Sequence, residues 1–132
     1  MRGLIALVAL SLAVRAQGGG TNVLLLGNSY TGVKNVPALF AGLAQSGGHG
    51  AMVGAHTPGG NTLGYPQSNG NQHESNPTSL SKIVAQAWDV LVLQEQSFLP
   101  TVESAQELHM KTGAAYLDAA LHAAWPAART MM

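Results

Sequence analysis

The stretch "VLLLGNSYTG", Val23 to Gly32, decides the fold. Four apolar residues run into Gly27-Asn28-Ser29, and the chain then turns polar. A short apolar run bounded by glycine reads as a strand buried on both faces, as in a parallel sheet. The expected strand is Asn22 to Leu26, and it ends on an amide and a hydroxyl. Such an ending is either a turn or the place where a nucleophile is presented.

The segments that follow alternate in type. "NVPALFAGLAQSGG" from Asn35 predicts a helix, with Asn35 as cap, Pro37 in the first turn and Gly47-Gly48 as the stop. Leu39, Phe40 and Leu43 fall on one face of it. "AMVGAHT" predicts a second strand, and Pro58 to Ser79 has the Gly, Asn, Ser and Pro content of a loop. "LSKIVAQA" reads as a short helix and "WDVLVLQ" as a third buried strand. Thr101 to Trp125 reads as one long helix capped by Thr101 or Ser104, stopped by Pro126 and weakened at Gly113. "ARTMM" then reads as the start of a fourth strand. Alternating strands and helices predict a three-layer α/β/α fold around a parallel, flavodoxin-like sheet with right-handed crossovers. One domain, residues 22–132, is expected, incomplete on its C-terminal side.

Composition narrows the function. Hydrophobic residues make up 46% of the 132 positions and charged residues 9%, which suits a packed core rather than a disordered chain. The formal charge is zero and no basic stripe is present, so nucleic acid is not an expected partner. "MRGLIALVALSLAVRA" has Arg2, an apolar run from Leu4 to Val14 and Val14-Arg15-Ala16, the pattern of a secretory signal. The run is too short to span a bilayer core of roughly 30 Å, so no membrane anchor is expected. Cleavage near Ala16 would leave residues 17–21 as a loose leader and a secreted or periplasmic protein. Cysteine is absent, which excludes disulfides and thiolate zinc sites.

In open parallel sheets, sites form at the carboxyl ends of strands. Three such ends are readable: Gly27-Asn28-Ser29, Thr57 to Asn61, and Gln94 to Ser97. Acyl transfer needs a nucleophile and donors aimed at a developing oxyanion. Ser29, between strand and helix, supplies a hydroxyl and a backbone N–H. Gly60 allows a second N–H to approach closely. Gln96 or Gln94 offers a side-chain amide, and Asn28 and Asn61 are candidates for substrate contact. Among the histidines, only His56 is expected near the carboxyl edge. Asp118 and His122 are four apart and read as a solvated helical pair. His73 and Glu74 are adjacent in the polar loop and would point apart, so no metal and no cofactor is expected.

"LLLGNSYT", "GGNTL" and "VLQEQS", in that order, resemble the first three sequence blocks of the SGNH hydrolases, the GDSL-like lipases and esterases. The likeness is to the bacterial branch with Gly-Asn-Ser-Tyr-Thr and Leu-Gln-Glu-Gln-Ser, and runs from Asn22 to the end. It implies Ser29 as nucleophile and Gly60 as oxyanion donor. Gln96 stands where the family usually has the Asn of Gly-x-Asn, and Gln94 where it has the Gly. The family's base lies in an Asp-x-x-His block that this chain lacks, so the resemblance implies an N-terminal fragment whose base would lie beyond residue 132. The implied activity is a serine esterase acting on a small-molecule or carbohydrate ester, an acetyl ester by analogy with exported members. The alternative is a non-catalytic module binding a small polar or sugar ligand at the same edge.

Overall fold

The computed structural model describes residues 20–64 and 71–132. The signal pattern lies outside the described residues, and of the leader only Gly20 and Thr21 fall within them. The elements in order are β1 (Thr21–Leu26), α1 (Ser29–Gly32), α2 (Val36–Ser46), β2 (Ala51–His56), α3 (Pro77–Ala85), β3 (Val90–Leu93), α4 (Glu103–Ala105), α5 (Thr112–Ala124) and β4 (Arg129–Met131). A 3₁₀ turn at His73–Ser75 precedes α3, and a π-helical stretch, Gln106–Lys111, joins α4 to α5.

The four strands form one sheet, all parallel, in the order β2-β1-β3-β4. Helices flank it, as expected from the alternation of elements. The chain leaves β1 for β2 on one side and returns to β3 on the other. This reversal opens a crevice at the carboxyl ends of β1 and β3, where open α/β sheets bind ligands. In register, Leu26 stands between His56 and Leu93, so all three strands end level.

Successive side chains of a strand point to opposite faces. Leu24 and Leu26 of β1 and Leu91 and Leu93 of β3 join Leu63, Ile83, Trp88, Leu117 and Leu121 in the main core, under α3 and α5. Val23, Leu25 and Val90 form a smaller cluster on the other face. Both tryptophans serve α3. The indoles of Trp88 and Trp125 donate to the carbonyls of Lys82 (2.8 Å) and Ile83 (2.7 Å), which the helix leaves open at its C-terminal turn.

The structure departs from expectation in four places. First, α1 is an extra helical turn directly after β1, capped by the Asn28 side chain. Second, α2 starts after Asn35 as expected but buries none of its residues, and Leu39, Phe40 and Leu43 are exposed. It packs along β2 and leaves an apolar groove of about 520 Å³ lined by Val23, Leu25, Val36, Phe40, Val90 and Val92. Third, the segment read as a loop over 58–79 holds the 3₁₀ turn and the start of α3 at Pro77. Asn61, Thr62, Leu63 and His73 in it are buried, and Thr62 pairs with Gln72 in an isolated bridge.

Fourth, the expected long helix is there but not α-helical throughout. It runs without a gap from Glu103 to Ala124, with a π-helical stretch at Gln106–Lys111, and a separate 3₁₀ turn at Leu99–Thr101 precedes it. Gly113 is also more than a weak helix former. A Cβ there would lie 2.3 Å from both Gly64 N and Leu63 C, so the missing side chain lets the Leu63–Gly64 backbone lie on α5. Helix propensity alone would make Gly113→Ala stabilising by about 1 kcal/mol. Overpacking against backbone costs typically 1–3 kcal/mol, and the expected net result is a lower midpoint in urea unfolding. A raised midpoint would contradict the contact.

Candidate active site

β1 ends at Leu26, and Gly27 continues its pairing for one step, donating to the His56 carbonyl at 3.2 Å. The chain then turns sharply. Asn28 is extended (φ −127°, ψ −154°) and its Oδ1 accepts the N–H of Tyr30 at 3.1 Å. Its Nδ2 donates to the Asn61 carbonyl at 3.0 Å. Asn28 is 1% exposed and both polar atoms of its side chain are engaged internally, so it joins two strand ends rather than meeting a substrate.

Ser29 follows as the first residue of α1, exposed at the sheet's carboxyl edge. The turn's amides are mostly committed: Asn28 N–H to Gln94 Oε1, Tyr30 N–H to Asn28 Oδ1, and Thr31 and Gly32 N–H to the Asn28 carbonyl. Among the described residues, the N–H and hydroxyl of Ser29 have no hydrogen-bond partner.

The second strand end brings Gly60 alongside. Its φ of +75° is one glycine adopts without strain, and its N–H likewise has no acceptor among the described residues. The two free N–H groups belong to the residues flanking the Asn28–Asn61 hydrogen bond. Asn61 is 1% exposed, and among the described residues neither atom of its carboxamide has a partner.

The third strand end divides its residues differently from expectation. Gln94 Oε1 accepts from Asn28 N–H (3.0 Å) and from Thr31 Oγ1 (2.9 Å), while its Nε2 donates to the Glu95 carbonyl. Gln94 is thus a brace across the β1–β3 crevice. Gln96 is half-buried, and its Oε1 accepts from Phe98 N–H at 3.4 Å. Glu95, between them, was not singled out by sequence reasoning, yet it is 8% exposed. Its carboxylate accepts from Leu63 N–H (3.2 Å to each oxygen) and Gln96 N–H (2.7 Å), tying the second strand-end loop to the third. Burial pushes the Glu95 carboxyl above its usual range, and those two amides and His109 oppose the shift.

The histidines converge on a different serine. His56 Nδ1 lies 2.9 Å and His73 Nδ1 2.7 Å from the hydroxyl of Ser79, which is fully buried. His73 Nε2 lies 2.8 Å from the Gly27 carbonyl. Burial lowers the pKa of His73 to about 4, with His56 adding to the shift and the Gly27 bond opposing it. Burial, then Lys82, lowers that of His56. His73 appeared in the sequence only as a loop residue. The signal that could have placed it is local: Asn76 caps α3 through Thr78 and Ser79 N–H, which fixes Ser79 in the first turn, six residues after His73. Asp118 and His122 form the expected helical pair (3.3 Å), and His122 Nε2 also reaches the Ala128 carbonyl.

Among the described residues, no group of three or more His, Asp or Glu side chains converges as a metal would require. No helix among them is long and apolar enough to cross a membrane. Compared with known protein families, with curated proteins and with solved structures, the chain matches none of them.

Proposed function

We propose that the chain carries the nucleophile and oxyanion-binding half of an SGNH-type serine acyl hydrolase, acting on a small-molecule or carbohydrate ester. One observation carries this reading. An exposed serine hydroxyl stands at the crevice between β1 and β3, and among the described residues its own N–H and that of Gly60 are left without acceptors on either side of the Asn28–Asn61 bond. N–H donors without other partners are what a developing oxyanion requires. The order of the three strand-end blocks supports the same reading. Export, which rests on the signal pattern of residues 1–16, and an acetyl ester as substrate, which rests on the sequence resemblance, are parts of the proposal.

A serine hydroxyl becomes a good nucleophile only when a base takes its proton. Both histidines near this edge are committed to Ser79. Oxyanion donors and binding alone leave on the order of 10³–10⁴-fold acceleration over water in proteases stripped of a triad member. The expected result for this chain is slow turnover of p-nitrophenyl acetate, abolished in Ser29→Ala and unaltered in His56→Ala. Turnover indifferent to Ser29→Ala would refute the reading. The commitment of both histidines elsewhere favours one rival, a non-catalytic module binding a polar or sugar ligand at the same edge. Saccharide binding without any Ser29-dependent turnover would establish that rival.

A further inference from the structure

We infer that His73 is a positioning residue, which holds the Ser29 turn and the Gly60–Asn61 loop in register with each other. The inference rests on the proposed role of Ser29. Its argument starts from a carbonyl. Gly27 O lies where β1 ends, and a buried carbonyl left without a donor costs about 1–3 kcal/mol. A carbonyl can only accept, so the His73 nitrogen 2.8 Å away, Nε2, carries the ring's proton. Neutral His73 then has a bare Nδ1, which must accept the Ser79 hydroxyl proton across 2.7 Å. Ser79 Oγ, having given its proton, accepts from His56 Nδ1–H at 2.9 Å. One backbone carbonyl thereby sets the direction of three consecutive hydrogen bonds, all of them beneath the nucleophile-bearing turn.

The backbone of His73 belongs to the other half of the site. His73 N–H donates to the Thr62 carbonyl (2.9 Å), Thr62 N–H to Asn71 O (3.1 Å), and Glu74 N–H to Leu63 O (3.0 Å). These bonds fasten His73 to the residues directly after Gly60-Asn61. Its ring reaches Gly27, two residues before Ser29. The two loops that present the free N–H groups therefore meet through this one side chain, with the Asn28–Asn61 bond as a second tie. Gln94 grips the turn from the β3 side through Asn28 N–H and Thr31 Oγ1.

Two conservative variants separate the ring's two contacts. In His73→Gln the amide nitrogen takes the place of Nε2 and keeps the Gly27 bond. In His73→Asn the shorter amide reaches only the Nδ1 place and loses it. Hydrogen exchange is followed at the Asn28 to Gly32 amides, each variant being corrected for global stability by its urea unfolding. Exchange in His73→Asn is expected to quicken about tenfold more than in His73→Gln, the equivalent of one lost hydrogen bond. Equal exchange in the two variants would overturn the inference. This readout needs no catalysis, so its failure is distinct from failure of the esterase reading. In a wild type that turns ester over, His73→Asn should lower kcat and leave KM unchanged, with Gln restoring kcat. A raised KM at unchanged kcat would contradict positioning. If His73→Asn fails to fold, imidazole nitrogen shifts of the wild type decide. The inference requires a protonated Nε2 and a bare Nδ1 at pH 7, and the opposite tautomer would refute it.

Discussion

Asn28→Ala should lower the stability of the folded chain by about 2–4 kcal/mol, the sum of a lost helix cap and an orphaned buried carbonyl. Asn28 lies 1% exposed in a turn, where polar side chains usually face water. Its Oδ1 caps α1 through Tyr30 N–H, and its Nδ2 satisfies the Asn61 carbonyl. Alanine removes both contacts and supplies no replacement. Aspartate is the sharper test, because it keeps the cap and loses only the donor. Its second oxygen would face the Asn61 carbonyl, acceptor against acceptor, unless the carboxyl holds a proton. Asn28→Asp should therefore lie well below wild type at pH 7 and recover part of the difference on acidification. Urea midpoints at constant m would measure both effects. An Asn28→Asp midpoint equal to wild type at pH 7 would show that the Asn28–Asn61 bond contributes nothing.

Acid should destabilise the fold through His73. The group's pKa falls from 6.5 to about 4 on folding. Between these values the unfolded chain binds a proton that the folded chain refuses, so stability rises with pH across the window. The contribution is complete above pH 6.5, declines as pH falls below it, and is gone by about pH 4. At 1.36 kcal/mol per unit, the loss is on the order of 3 kcal/mol. His56, across Ser79, is shifted in the same direction by burial and Lys82 and adds to the effect. Glu95 works the other way: its raised pKa favours the folded state as pH falls towards the ordinary carboxylate range. Comparison with His73→Gln cancels the Glu95 contribution and isolates the His73–His56 pair. Urea unfolding from pH 7.5 to 4 should show a steeper decline in wild type than in His73→Gln. Parallel curves would mean that His73 does not titrate differently in the two states.

The fold was largely legible because buried parallel strands write themselves as unbroken apolar runs. Val23–Leu26 and Val90–Leu93 could be read directly, and glycine and proline marked where they stopped. Parallel pairing followed from alternation with helices. Helix α2 was misjudged at its surface. Its apolar spacing is real, yet spacing does not tell how fully the face closes on a sheet, and here a groove stays open beside its contact with β2. Composition misled at Pro58 to Ser79. Polar residues there signal a loop when read singly, but His73 N–H donates to the Thr62 carbonyl and the Glu95 carboxylate accepts from Leu63 N–H, both across long separations in sequence. The same holds within the site. Ser29, Gly60 and Asn61 could be named because each sits at a strand end. The division of work among Gln94, Glu95 and Gln96 could not, since it depends on which amide reaches across the crevice. Gly113 shows the limit of propensity: a glycine in a helix reads as weakness until the backbone lying against it is known.

The central claim is that the hydroxyl of Ser29 is a nucleophile poised beside two free N–H groups. Its most direct test is covalent. The chain is incubated with an alkyl fluorophosphonate, and the adduct is weighed on the intact protein and mapped by peptide mass. The account predicts a single phosphonyl adduct on Ser29, absent from Ser29→Ala, with buried Ser79 unmodified despite its two histidine neighbours. An unmodified protein, or an adduct that persists in Ser29→Ala, would contradict it.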